Sequence, residues 1–382
     1  MDTRTDLPVI RKRRGVSAAQ LARLANVSRQ TIYAIEAGDY VPNTTLALHL
    51  ARILEVRVEE LFRLEGADGD QPKLLNVEIL GGTTMSRPGQ PVQVCKVGSK
   101  WVGVAAVSPP VMLPMAHGVI ASTPQRQAKS AAKATGCTTE VRVFPTGESE
   151  DKRLLVAGCD PGISLLTHHL AKTEGVDLVV APSSSRQALE WLKQDLVHVA
   201  GTHLRDLATG EYNLPEIHKM FRRGSVKVVT FAIWEQGLVF GGGNPKGIRE
   251  IGDLARKDIR IINREKGAGS RDLLDRELVR LGIASNAVRG YDRIAYGHLP
   301  AALAVSAGEG DCCIATRSAA QAFGLGFLPL ATERYDLVIR RPYVKLPAVE
   351  ALLNDLNRSE VRRKLELLAG YDTSHTGEVR LT

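Results

Sequence analysis

The sequence lacks a paired cysteine pattern. Its five cysteines, Cys95, Cys137, Cys159, Cys312 and Cys313, are an odd set with no Cys-x-x-Cys and no Cys/His spacing of the kind a zinc site uses. A disulfide framework is thereby excluded, no metal site is expected, and a reduced protein is the simplest reading. Long apolar runs are also missing. No stretch approaches the roughly 18 uninterrupted apolar residues of a membrane span, and MDTRTDLPVIRKRRG has no apolar core of a secretion signal. The expectation is a cytoplasmic protein with no membrane partner.

Catalytic and cofactor signatures are scarce as well. There is no Gly-x-Ser-x-Gly elbow, and no cysteine sits in a motif that implies an activating histidine. A dinucleotide fingerprint would need a third glycine, but the run from Gly267 through Gly269 ends on Asp272 and lies late in its domain. GGGNPKG at 241–247 fails as a phosphate loop, because Pro245 and the missing hydroxyl residue after Lys246-Gly247 remove donors the loop needs. No cofactor is therefore expected. His168 and His169 are adjacent on a predicted helix, so they diverge and read as one surface and one core residue. Cys312 and Cys313 share a predicted strand and should point to opposite faces, as packing residues.

What is present begins with length and charge. At 382 residues the chain suggests two or three domains, each able to bury a core, and its net charge of +8 favours polyanionic partners. Residues 1–66 hold ten Arg and Lys against eight Asp and Glu, yet Arg11, Lys12, Arg13 and Arg14 are consecutive. They form a candidate phosphate-facing patch.

From Val9 to Leu64 short amphipathic segments alternate with turn signals. Ser17 is placed to cap one helix, Asn26 to end it in a left-handed turn, and Ser28 to cap the next, whose Ile32 and Ile35 face inward. Two short helices joined so tightly make a helix-turn-helix. Its second helix leaves Ser28, Arg29, Gln30, Thr31 and Tyr33 on the outer, N-terminal side. There Gln can bond an adenine edge, Arg a guanine edge, and Ser28 a phosphate. LARLANVSRQTIYAIEAGDYVPNTTLALHLARIL resembles the DNA-binding domain of the Xre/Cro family of phage-repressor-like regulators, with one departure, Ala18, where many members carry Gln. The resemblance implies a domain that reads double-stranded operator DNA, and a homodimer is expected because one short helix-turn-helix gives little specificity whereas two read a palindrome about one DNA turn apart.

Residues 67–150 read as a linker, GADGDQPK, a small β-rich segment and a second linker around FPTGESEDKR. PVQVCKVGSKWVGVA, MAHGVIAS and EVRVF resemble the small C-terminal β-domain of molybdopterin molybdenumtransferases. From residue 151 to 382 strands such as RLLVAG, VDLVVAP, VHVAG, VKVVTFAIW, IRIIN, CCIAT, FGLGFLPL and YDLVIR alternate with helices, which means a mostly parallel sheet covered on both faces. Ligands of such sheets bind at strand carboxyl ends. The candidates there are Cys159 and Asp160 after the first strand, Ser183, Ser184 and Ser185 after the second, and Thr202 and His203 after the third. To these are added Gly267, Gly269, Ser270 and Arg271 in INREKGAGSRDLLDREL, and His298. Small residues, hydroxyls and free backbone N–H groups at helix starts suit an anion.

LLVAGCDPGISLL, HVAGTHLRD, INREKGAGSRDLLD and GYDRIAYGHLPAALAVSAGEGDCCI resemble the cytoplasmic domains related to periplasmic binding proteins. That implies a two-lobed type II fold, with lobes joined by crossing strands and a ligand closed between them. The whole reads as a multidomain, one-component transcriptional regulator rather than an enzyme. Its effector is an oxyanion such as molybdate or tungstate, or a small organic anion, and closure repositions the DNA-binding domains of a dimer. Two other readings stay open. One is an enzyme of molybdenum-cofactor type using Asp160 and His203 as its acid–base pair; the other is a phage-type repressor whose large domain only oligomerises.

Overall fold

The computed structural model describes residues 3–64, 73–81, 87–106, 115–123, 136–144 and 152–381. Most of both expected linkers, 65–72 and 145–151, lies outside the described residues. The chain divides into two compact units, the first built, among the described residues, from 3–64 and Phe144.

That unit runs β1 (Thr3–Thr5), α1 (Leu7–Arg13), α2 (Ala18–Leu24), α3 (Arg29–Ala37), α4 (Thr44–Leu54), α5 (Val58–Leu61) and β2 (Phe62–Leu64). Two caps are those the sequence predicts: Ser17 accepts from Gln20 N at 3.1 Å and Ser28 from Thr31 N at 3.0 Å. Asn43 adds a third, accepting from Leu46 N at 2.9 Å. Asn26 takes a left-handed φ of 55°, and Gly38, at φ 84°, ends α3. Leu7, Leu21, Ile32, Ile35, Leu50, Leu54 and Leu61 meet in one core. Antiparallel pairing of β1 with β2, which joins the two ends of the unit, was not expected from sequence.

The second unit begins with β3 (Lys73–Leu80), β4 (Pro91–Val97), β5 (Lys100–Ala105), β6 (Gly118–Ile120) and β7 (Gly136–Val143). These strands close into a barrel in the order β3-β5-β4-β6-β7, filled by Val77, Ile79, Val92, Val94, Ile120, Cys137 and Val141. The barrel seats on the α/β layer through a hydrogen bond between His117 Nε2 and Asp177 Oδ2 at 2.7 Å. A second contact joins Cys95 Sγ to the Arg153 carbonyl at 3.3 Å.

The α/β layer follows: β8 (Arg153–Gly158), α6 (Ile163–Thr173), β9 (Asp177–Pro182), α7 (Ser185–Lys193), β10 (Val199–Thr202), α8 (Leu214–Met220), β11 (Val226–Phe240), β12 (Ile261–Arg264), α9 (Gly269–Arg280), β13 (Ile294–Ala295), α10 (His298–Ser306), β14 (Cys312–Thr316), α11 (Arg317–Ala322), β15 (Gly326–Arg340), α12 (Pro347–Leu356), α13 (Ser359–Leu367), β16 (Tyr371–Asp372) and β17 (Val379–Leu381). Its sheet order is β13-β12-β14-β11-β15-β10-β8-β9, with β16 and β17 added against β11. Lobe one holds β8, β9 and β10; lobe two holds β12, β13 and β14. The antiparallel pair β11 and β15, in register from Val226↔Arg340 to Phe240↔Gly326, runs through both. Every residue of β8 is buried, as a strand covered on both faces requires. Cys312 packs into the core on one face of lobe two and Cys313 into the core on the other, as the alternation implied. His169 is buried on Asp355 at 2.7 Å while His168 is exposed, again as read from the sequence.

Candidate functional site

Two sites are laid out, one in each unit. On α3 the buried Ile32 and Ile35 fix which face points inward, so Arg29, Gln30 and Tyr33 are left exposed on the other. Ser28 and Thr31 share a hydrogen bond at 2.8 Å, so their hydroxyls are partly engaged with each other at the helix start. Lys12, Arg13 and Arg14 are exposed, although Arg14 also donates to the Glu55 carbonyl at 3.0 Å. Arg11 corrects the sequence reading. Its Nε donates to Glu36 at 2.6 Å and its Nη1 to the Val16 carbonyl at 2.9 Å, so it ties α1 to α3 and does not present itself to phosphate.

In the second unit the ends of β8 and β10 in lobe one face the ends of β12 and the start of α10 in lobe two. Cys159 follows β8, His203 follows β10, Arg264 ends β12 and His298 opens α10. Cys159 Sγ lies 3.4 Å from His203 Nε2, and one donor atom each of Cys159, His203 and His298 falls within 4.8 Å of the others. The spacing of Cys and His along the chain gave no sign of this cluster; the fold creates it. His203 Nδ1 bonds Glu333 Oε2 at 2.6 Å, and its backbone N donates to Ser185 Oγ at 3.2 Å. The amide of Gln236, oriented to satisfy both ends, donates to Glu333 at 3.0 and 3.1 Å and accepts from Ser270 Oγ at 2.7 Å. A buried chain of polar contacts thus leads from lobe one, through the crossing strands, to the first turn of α9 in lobe two.

Burial governs the electrostatics. Desolvation alone would lower His203, but Cys159 and Glu333 outweigh it and push the imidazole up to about 10. For His298 desolvation acts in the same direction as the neighbouring Arg264 and His203, and its ring is held well below the usual range. Both ring nitrogens of His298 and Nη1 of Arg264 are buried with no hydrogen-bond partner among the described residues. Arg264 meanwhile pairs with Glu265 at 2.9 Å. Trp234 packs edge-on to both histidines, with ring centroids 5.1 and 5.2 Å away.

The remaining candidates sort cleanly. Desolvation raises Asp160 to about 7, against the opposing pull of Tyr371 and Gly162; its Oδ1 accepts from Tyr371 Oη and Gly162 N, each at 2.6 Å. Ser183 Oγ is buried and unpartnered. Ser184 is the cap of α7, its Oγ accepting from Gln187 N at 3.3 Å, which leaves its O–H free to donate. Ser185 is occupied in holding His203. Thr202 is turned away, donating to Asn213 at 3.2 Å. Arg271 is the clearest correction. It donates to the Arg264 carbonyl at 3.1 Å and lies over the Tyr291 ring, 4.7 Å from its centroid, so it supports the end of β12 from behind. Gly267 and Gly269 mark where the lobes touch. Arg186 N reaches the Gly267 carbonyl at 3.5 Å, and a Cβ on Gly269 would come within 2.6 Å of the His203 ring.

Sequence reading missed Arg264, Gln236 and Glu333. A signal existed: in strands of period two, Trp234 and Gln236 share one face of β11, and Glu333 and Tyr335 share one face of β15. A Gln and a Glu buried on the crossing strands beside Trp234 and Tyr335 mark the wall of a polar chamber.

Comparison with known proteins agrees with both halves. A family model described as the PBP superfamily domain matches residues 167–357, and a helix-turn-helix model matches 10–61. The uncharacterized protein YvgK of Bacillus subtilis strain 168 is 34% identical over 228 residues, covering 60% of this chain and 73% of its own. The HTH-type transcriptional regulator YgzD of the same organism is 43% identical over 56 residues, 15% of this chain and 85% of its own. Among solved structures, the periplasmic molybdate-binding protein of Azotobacter vinelandii aligns with a TM-score of 0.45 and 18% identity, over 57% of this chain and 98% of that one.

Proposed function

From a chain that belongs to the PBP superfamily and carries an Xre-type helix-turn-helix DNA-binding domain, we infer a one-component transcriptional regulator whose two-lobed domain senses a small ligand. One observation carries the sensing half. His298 Nδ1 and Nε2 and Arg264 Nη1 are buried at the lobe boundary without partners. Each such group costs about 1–3 kcal/mol unless something satisfies it. A core evolved only for oligomerisation has no use for three of them at one point, whereas a ligand chamber has.

A sensor is favoured over an enzyme. Asp160, the acid nominated to pair with His203, has its Oδ1 engaged by Tyr371 and Gly162, so only Oδ2, buried without a hydrogen-bond partner among the described residues, is left to act. The relatives of the DNA-binding domain are named as transcriptional regulators. Arg264 supplies a positive charge for an anionic component, consistent with an oxyanion or a small organic acid in the chamber. A single helix-turn-helix reads few bases, so a homodimer on two half-sites about one DNA turn apart is the expected operator complex. No helix among the described residues is long and apolar enough to cross a membrane.

The test is a thermal-shift panel of divalent metal ions, oxyanions and organic acids on the full chain, followed by footprinting with and without each hit. A compound that raises the melting temperature with the logarithm of its concentration and changes operator affinity is expected. Stabilisation without any change in footprinting would refute the regulatory reading.

A further inference from the structure

We propose that Cys159, His203 and His298 form a three-ligand site for a borderline-soft divalent transition metal ion of the zinc class, and that this ion is the sensed ligand or its core. The proposal rests on the small-ligand sensor reading and specifies its chemistry.

Geometry comes first. Zinc–nitrogen and zinc–sulfur bonds of about 2.0–2.1 and 2.3 Å give a tetrahedral N···S edge of about 3.5 Å. Cys159 Sγ and His203 Nε2 stand 3.4 Å apart. All three donors are within 4.8 Å of one another, so bringing His298 into the shell needs a movement of about 1 Å. His203 is held for the task. Its Nδ1 faces Glu333 at 2.6 Å and Nε2 faces the thiol, the carboxylate–histidine arrangement that orients a metal-ligating imidazole. His298 offers two buried ring nitrogens with no other partner.

Donor chemistry then selects the class. One sulfur and two imidazoles suit zinc, cobalt, nickel or copper, whereas magnesium and calcium require oxygen ligands. Arg264 is the opposing charge, lying close enough to act electrostatically on both Cys159 and His298. Its pairing with Glu265 offsets part of that charge, and a dication with a Cys159 thiolate and Glu333 leaves the cluster near neutrality. The site has three protein ligands, so a fourth position remains. The unpartnered Nη1 of Arg264 nearby suits a small anion there. Lobe one supplies Cys159 and His203 and lobe two supplies His298, so coordination draws the lobes together.

The experiment uses the full chain stripped with a chelator, then dialysed against zinc or cobalt. Expected are one equivalent of zinc per chain and a cobalt complex with an intense thiolate-to-cobalt charge-transfer band. Affinity should fall at least tenfold in Cys159→Ser and in His298→Gln. A cobalt complex without the thiolate band, or unchanged affinity in both variants, would overturn the proposal. The wild-type cobalt spectrum decides the matter even if a variant fails to fold. Should molybdate, phosphate or an organic acid stabilise the stripped chain while zinc and cobalt do not bind, the metal site falls and the sensor reading stands. If no metal ion and no anion shifts the melting temperature or the footprint, both fall.

Discussion

Substituting Gly269 by Ala tests the proposal that the two lobes close on a ligand, because Gly269 of lobe two lies against His203 of lobe one. An added Cβ would stand 2.6 Å from Cε1 and Nδ1 of His203 and 3.0 Å from its carbonyl oxygen, whereas ordinary contact begins near 3.4 Å. Relief requires a displacement of about 0.8 Å. The His203 ring has little room to give, because Glu333 holds it at 2.6 Å, Cys159 lies 3.4 Å away, and the Trp234 and Tyr335 rings pack against it at 5.1 and 5.9 Å. Overpacking of this kind costs about 1–3 kcal/mol. The contact exists only when the lobes meet, so that energy is subtracted from the closed state alone. Ligand affinity should therefore drop by about 5- to 150-fold. Small-angle scattering should show a more open second unit, with the circular dichroism spectrum unchanged. The assay is isothermal titration with whichever panel member stabilises the wild type, alongside scattering with and without it. Wild-type affinity together with wild-type compaction in Gly269→Ala would refute the closure argument.

Three further outcomes follow from particular contacts. Gln30→Ala and Arg29→Ala should each weaken operator binding by about 1–3 kcal/mol at the cognate base while leaving the unfolding midpoint unchanged; equal affinity for cognate and substituted operators in the wild type would contradict α3 as the reading helix. Arg11→Ala should instead destabilise the first unit by about 3 kcal/mol, because it strands Glu36 in a pair that is only 11–12% exposed, whereas Lys12→Ala and Arg13→Ala should leave stability alone and lower the salt dependence of DNA binding by about one ion each. His198 supplies a pH test: burial lowers its ring to about 4, and its Nδ1 accepts from Leu155 N at 3.1 Å. The native state thus holds the ring neutral while the unfolded chain protonates near 6.5, so stability is full above pH 6.5 and falls as pH drops toward 4, by about 3 kcal/mol in total. His198→Asn should remove about one proton from that slope in denaturant titrations across this range; an unaltered slope would show that other groups set it.

The first unit was legible because its signals are local. Ser17, Asn26 and Ser28 act within four residues of themselves, and each takes the cap or turn its side chain prescribes. Arg11 was misread for the opposite reason: its partner Glu36 is 25 residues away, and no charge pattern distinguishes a buried ion pair from a phosphate-facing one. In the second unit the strand and helix alternation was readable, but the length of the crossing strands was not. β11 passes through Gln236 and Gly237 at an irregularity in its register, and the sequence pattern stops at Trp234. FGLGFLPL and YDLVIR, read as two strands, are one continuous β15 because pairing with β11 carries the chain through the polar residues between them.

The chamber was half legible, and the missing half explains how it works. Position at a strand end was enough to nominate Cys159 and His203, and His298 was named beside them. The same reading also nominated Thr202 and Arg271, since position along the chain cannot tell a group that faces the cleft from one already bonded to its neighbours. The deciding residues, Glu333 and Gln236, lie mid-strand, where an apolar side chain would be expected. Their burial is tolerable only as a satisfied network, and His203, Glu333, Gln236 and Ser270 satisfy one another in sequence. Such a network has few intermediate arrangements: moving His203 disturbs Glu333, and moving Glu333 releases Gln236 from Ser270 at the first turn of α9. On the proposed sensor reading, a ligand that engaged His203 in lobe one would act on lobe two by the same contacts that hold the crossing strands, and binding would be coupled to closure through residues that need not touch the ligand.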